Sequence, residues 1–182
     1  MRRFLGLALA GWAACGQDVR ADETKHALDG NNTTIEFIGA KADGKHVGGF
    51  KKLTGSVAVD PAKVAGGKVE VEIDVRSLFS DNAGLTQHLK GADFFNVKKH
   101  PTAKFVSTKI DGDKTGFKMT GDFTLLGKTK SVEFPVTVTA NNGEYTLASE
   151  FKINRSDYGM TYGKGKVHEE VTIKLAVKGK AE

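Results

Sequence analysis

The chain has 182 residues and a mass of 19.5 kDa, the size of one domain, long enough to bury a core without disulfide or metal support. Apolar residues make up 39% and charged residues 27%, with a formal net charge of +5, a balance that excludes both a disordered chain and a polytopic membrane protein. One cysteine excludes a disulfide framework and a thiolate zinc finger, and the phosphate-loop, dinucleotide, zincin and nucleophile-elbow motifs are all missing.

Residues 1–21 read as a targeting segment. Arg2 and Arg3 form a basic head, and Phe4 to Ala14 is an uncharged apolar run too short to span a bilayer. Two processing sites compete. Val19-Arg20-Ala21 fits a small-x-small cleavage that releases a soluble domain from Asp22. Trp12-Ala13-Ala14-Cys15 resembles a lipobox that would leave Cys15 lipidated, although Trp12 stands where Leu is usual. Both place the domain, residues 22–182, outside the cytoplasm, in the periplasm or secreted. Removing Arg2, Arg3, Arg20 and Asp18 leaves 24 basic and 21 acidic residues, a net +3. The remaining charges lie in mixed-sign runs such as Lys68-Val69-Glu70-Val71-Glu72. That pattern fits a solvated sheet surface and not the basic stripe with interleaved aromatics that nucleic acid requires.

From there the chain reads as strand after strand. Ile35 and Phe37 begin the series, Asp43-Gly44 signals a turn, and the stretch from Phe50 to Val59 continues it. After Gly66-Gly67, Val69, Val71, Ile73 and Val75 alternate with polar residues. Gly84 to Gly91 breaks the pattern: Leu85, His88 and Leu89 fall at helical spacing and lead into Phe94-Phe95, an aromatic pair suited to plugging a barrel end. Pro101 then forces an extended start to the strand Ala103 to Ile110. Asp111-Gly112 precedes Phe117, Met119, Gly121, Phe123 and Leu125, and Leu126-Gly127-Lys128 precedes Val132, Phe134, Val136 and Val138. Asn141-Asn142-Gly143 leads to Tyr145, Leu147, Ser149, Phe151 and Ile153, and the last stripe is Val171, Ile173, Leu175 and Val177. About eight strands joined by short hairpins predict an antiparallel sheet, which must close on itself to bury its apolar face. The expectation is an eight-stranded antiparallel β-barrel with one short helix, either filled by side chains or holding one small ligand.

Several segments together carry a resemblance. They are His46-Val47-Gly48-Gly49-Phe50 with Gly55-Ser56-Val57, Gln87 through Val97, and Pro101 through Thr108. Gly121 through Lys130 and Asn154-Arg155-Ser156-Asp157-Tyr158-Gly159 complete the set. In this order and spacing, from Lys25 to Lys178, the chain resembles the YceI family of exported, lipocalin-like barrels, many of which bind polyisoprenoids. The opening departs from the family pattern, with His26-Ala27-Leu28-Asp29 and Asn32-Thr33-Thr34 in place of an aromatic and a His-Ser pair. That leaves the ligand open and the fold unaffected.

The resemblance implies a carrier that holds an isoprenoid or similar amphiphilic lipid, such as a quinone or a polyprenyl phosphate, in an apolar interior. Burying each CH₂ of such a chain is worth ~0.8 kcal/mol. The candidate lining is Phe37, Phe50, Phe105, Phe123, Phe134, Phe151 and Tyr158, with Phe94 and Phe95 at the plug; for each ring alone, ordinary core packing is the plainer role. Arg155 is the candidate for a phosphate head group, and its plainer role is an ion pair with Asp157 that closes the barrel end. His88 and Asp93 read as plug contacts. The five histidines (26, 46, 88, 100 and 168) show no metal-ligand spacing, so neither an enzyme nor a cofactor is expected. The competing expectation is an envelope stress or interaction protein with a filled barrel and no lipid. Transient membrane contact and a monomer or homodimer complete the picture.

Overall fold

The computed structural model describes residues 24–60, 63–113, 116–141 and 144–180; the expected targeting segment, with Cys15, lies outside them. The strands are β1 (Thr24–Asp29), β2 (Thr33–Lys41), β3 (Gly44–Phe50), β4 (Leu53–Asp60), β5 (Lys63–Asp74), β6 (Leu78–Ser80), β7 (Thr102–Asp113), β8 (Gly116–Leu125), β9 (Lys128–Asn141), β10 (Glu144–Asn154) and β11 (Glu170–Lys180). One helix, α1 (Ala83–Lys90), and 3-10 turns at Val75–Ser77 and Arg155–Tyr158 complete the elements. Every ladder is antiparallel, and the hydrogen-bonded order is β1-β4-β5-β7-β8-β9-β10-β11-β2-β3-β6.

The eleven strands correct the expected eight, and the reason is bending. β1 turns at residues 30–32 into β2, β3 turns at Lys51–Lys52 into β4, and β5 passes through the 3-10 turn into β6. Each of these three ribbons pairs on both sides of its bend: β4 with β1 and β5, and β3 with β2 and β6. The chain therefore joins the two ends of the ladder, and the sheet curls into a barrel-like wall. Polar groups hold the bends. Asp74 N donates to Lys52 O at 3.0 Å, Lys52 N to Ser77 Oγ at 3.0 Å, and Asn31 N to Asp29 Oδ1 at 2.7 Å. These bonds satisfy backbone that leaves the ladder where the wall turns.

Two expected turns also fall elsewhere. Gly66-Gly67 lies within β5 and Asp111-Gly112 within β7, with Gly66 and Gly112 at φ of 96° and 130°. Positive φ marks these glycines as irregularities inside strands. Leu126-Gly127 is a turn as expected, both residues having positive φ, the two-residue connection that suits a right-twisted hairpin.

The helix forms where its spacing placed it. Asn82 Oδ1 caps it by accepting from Leu85 N at 2.9 Å, and Leu89 faces the core. The turn after it brings Phe95 inward, its N donating to Leu89 O at 3.0 Å. Phe95 meets Phe37 and Phe50 at centroid distances of 5.8 and 5.9 Å. α1 and the 91–100 segment thus plug one end of the wall, which also carries the 159–169 loop and the β2–β3 and β8–β9 turns.

Candidate ligand-binding cavity

Alternation turns one face of each strand inward, and these faces enclose a cavity of about 480 Å³. Phe37, Phe50, Phe94, Phe95, Phe105, Phe123, Phe134, Phe151 and Arg155 all line it. Tyr158 does not; it is 2% exposed and packs behind Phe123 at 5.4 Å. On one wall Phe134 stacks on Phe151 at 4.3 Å and tilts against Phe105 at 5.5 Å. Glycines make room for the rings: a Cβ at Gly48 would strike Phe37, and one at Gly121 would strike Phe105.

The interior is hollow. Phe105, Phe117, Phe123, Leu147, Phe151, Ile173 and Leu175 line the cavity yet remain only half-buried, because apolar surface turned inward faces open space instead of other side chains. A filled barrel would bury these positions fully. Sequence reasoning singled out the aromatics and passed over the aliphatic half of the lining, such as Val132, Ile153, Val171 and Val177. The same alternation that defined the strands was the signal for them.

Charge is confined to one end. Among the described lining residues, those with ionisable nitrogens are Lys41, His46, His88 and Arg155, all at the plugged end. His46 Nδ1 lies 2.9 Å from Asp81 Oδ1, and His88 Nε2 lies 3.1 Å from Asp93 Oδ2. His88 also meets Phe94 and Tyr162 edge-on at 5.0 and 5.1 Å. Tyr162, which sequence reasoning missed, is 47% exposed and lines the cavity. With the exposed Lys41 and His88 it brings the cavity lining to the surface at the plugged end.

Arg155 is 3% exposed and is satisfied by carbonyls. Its Nε donates to His168 O at 3.0 Å, Nη1 to Met160 O at 3.0 Å and Nη2 to Val167 O at 3.2 Å. Burial lowers its pKa below the ordinary guanidinium value, and the group stays charged. The expected pair with Asp157 is not among the ion pairs of the described residues. That expectation assumed a strand, in which i and i+2 share a face; residues 155–158 form a 3-10 turn with three residues per revolution, which points the two side chains apart. Arg155 staples both ends of the 160–168 loop.

A YceI-like domain model matches residues 26–179. The chain belongs to the YceI-like family. A UPF0312 protein of Pseudomonas putida is 31% identical over 187 residues, covering 98% of this chain and 96% of the relative. One of Shewanella denitrificans is 36% identical over 146 residues, 73% of each. The crystal structure of Burkholderia cenocepacia BcnA superposes with a TM-score of 0.75 at 30% identity, covering 81% of this chain and 96% of that one. A polyisoprenoid-binding domain from Saccharophagus degradans, implicated in plant cell wall breakdown, shares the YceI-like fold at a TM-score of 0.63 and 12% identity, covering 88% and 100%.

Proposed function

We propose that this YceI-like protein is an exported, non-catalytic carrier of one amphiphile, its apolar chain in the barrel interior and its polar head at the plugged end. The observation that carries the reading is the hollow, apolar interior, whose lining includes apolar side chains left half-buried, such as Phe105, Phe117, Phe123 and Leu147. Such surface is unfavourable when wet, and an apolar chain covers it at a gain of ~0.8 kcal/mol per CH₂. The confinement of Lys41, His46, His88 and Arg155 to one end gives the ligand a direction. The Saccharophagus domain, named for polyisoprenoid binding, points to an isoprenoid-type chain, such as a quinone or a polyprenyl phosphate. A phosphate there meets Lys41 and the histidines first, because Arg155's three nitrogens already donate to carbonyls.

The test separates binding from folding. Ile173→Trp adds bulk to a half-buried position that faces the cavity, where open space accepts it. Delipidated wild type should take up a polyprenyl phosphate or a quinone saturably, and Ile173→Trp should weaken uptake roughly tenfold while the melting temperature holds within a few degrees. Wild type that takes up neither ligand overturns the carrier reading.

A further inference from the structure

Unpaired lysines gather at the plugged end. Along the wall, Lys104 pairs with Glu70, Lys118 with Glu133, Lys152 with Glu170 and Lys174 with Glu150, at 2.9–3.2 Å, and lysines without an ion pair among the described residues, such as Lys25, Lys68, Lys130 and Lys178, are scattered over four strands. At the plugged end, Lys90, Lys98, Lys99, Lys128, Lys164 and Lys166 form no ion pair among the described residues. All but Lys90 are exposed.

Contacts show that these six lysines share one rim. Val97 N donates to Lys90 O at 3.2 Å, and Lys99 follows in the same turn. His100 reaches Gly127, the turn residue before Lys128. Lys128 Nζ lies over Gly159, the residue that opens the loop bearing Lys164 and Lys166. The loop returns to β2 through His168 N and Ala40 O at 2.9 Å. Tyr162, at 47% exposure the one strongly exposed large hydrophobic side chain among the described residues, stands within this rim against His88 and Phe94 and lines the cavity.

We propose that the rim is a docking surface for an anionic lipid bilayer, on which the plugged end rests so that an amphiphile passes between bilayer and cavity beside Tyr162. The transfer step rests on the carrier reading above; the docking does not. Uncompensated lysines are drawn to anionic lipid within a Debye length, and a tyrosine beside them suits the interfacial layer, which accepts its ring and its hydroxyl together. A water-soluble acidic partner would use the lysines but would leave the exposed Tyr162 ring without an apolar contact.

The experiment is flotation of the purified protein with phosphatidylcholine vesicles and with vesicles in which phosphatidylglycerol replaces part of the phosphatidylcholine. The protein should bind only the second kind, and less as salt rises. The double variant Lys164→Glu/Lys166→Glu should bind roughly tenfold or more weakly, while uptake of an apolar fluorescent dye from solution stays unchanged, showing the barrel intact. Wild type that ignores phosphatidylglycerol vesicles at low salt overturns the proposal, as does a charge-reversed variant that binds them equally well. Dye uptake without vesicle binding overturns docking alone; vesicle binding without dye uptake upholds docking and overturns the carrier reading.

Discussion

Arg155 is the residue on which the 160–168 loop depends. One guanidinium satisfies Met160, Val167 and His168 carbonyls, so it fixes both ends of a loop whose Gly159, Gly163 and Gly165 all have positive φ. Arg155→Lys keeps the charge but loses the fork, leaving the buried Met160 carbonyl unpaired at a cost of about 1–3 kcal/mol and the part-buried Val167 and His168 carbonyls to solvent. Urea denaturation should show a lower midpoint, and limited proteolysis should cut within residues 160–167; an unchanged midpoint would contradict the staple. Gly121 carries a different constraint. A Cβ there would sit 2.6 Å from Val106 O and against the Phe105 ring, so Gly121→Ala should lose about 1–3 kcal/mol in the same assay. Tyr158 has its pKa pushed up to about 12, chiefly by burial and further by Asp157. Its folded value lies above its unfolded value of 10.0, so its contribution to stability is complete below pH 10 and is lost as pH rises towards 12. Tyr158→Phe should flatten that alkaline decline in pH-dependent unfolding.

The strands were legible because each carries strict alternation, and α1 was legible because Leu85, His88 and Leu89 break it. Asn82→Ala should cost about 1 kcal/mol by removing the helix cap, readable as a small fall in melting temperature. The bends were not legible. Val71, Ile73 and Val75 keep alternating through the point where β5 becomes a 3-10 turn, since the turn is fixed by distant partners: Lys52, and Pro101 O, which accepts from Val75 N at 2.8 Å. Local pattern carries no record of such pairing. The same limit applies at Arg155, where a short turn replaced the strand that the Asp157 pairing required. The aromatic lining was readable as inward-facing, but whether the interior is hollow depends on how far apart the walls stand. That distance is a property of the curled sheet, not of any one strand. The lysine rim was equally invisible, because its members are strung from Lys90 to Lys166 and only the hairpin topology gathers them.

The whole molecule is a curled sheet held by polar groups at its bends and apolar surface within. Several of the polar groups are carboxylates. Asp29, Asp74 and Asp81 are held below the ordinary 3.8, by backbone amides of Asn31 and Asn32, by the Arg76 side chain, and by the Val47 amide with His46. A depressed folded pKa adds stability above the unfolded value, and that stability is lost as pH falls through the folded one. The urea midpoint should therefore hold between neutrality and about pH 5 and fall below about pH 4, with the bends opening first in hydrogen exchange. The central claim concerns what fills the interior, and native mass spectrometry of protein purified from its own cell envelope addresses it directly. The account predicts a mass increment equal to one apolar amphiphile per chain, removed by organic solvent and restored saturably by an isoprenoid quinone or polyprenyl phosphate. A bare-chain mass, with no saturable uptake of either, would contradict it.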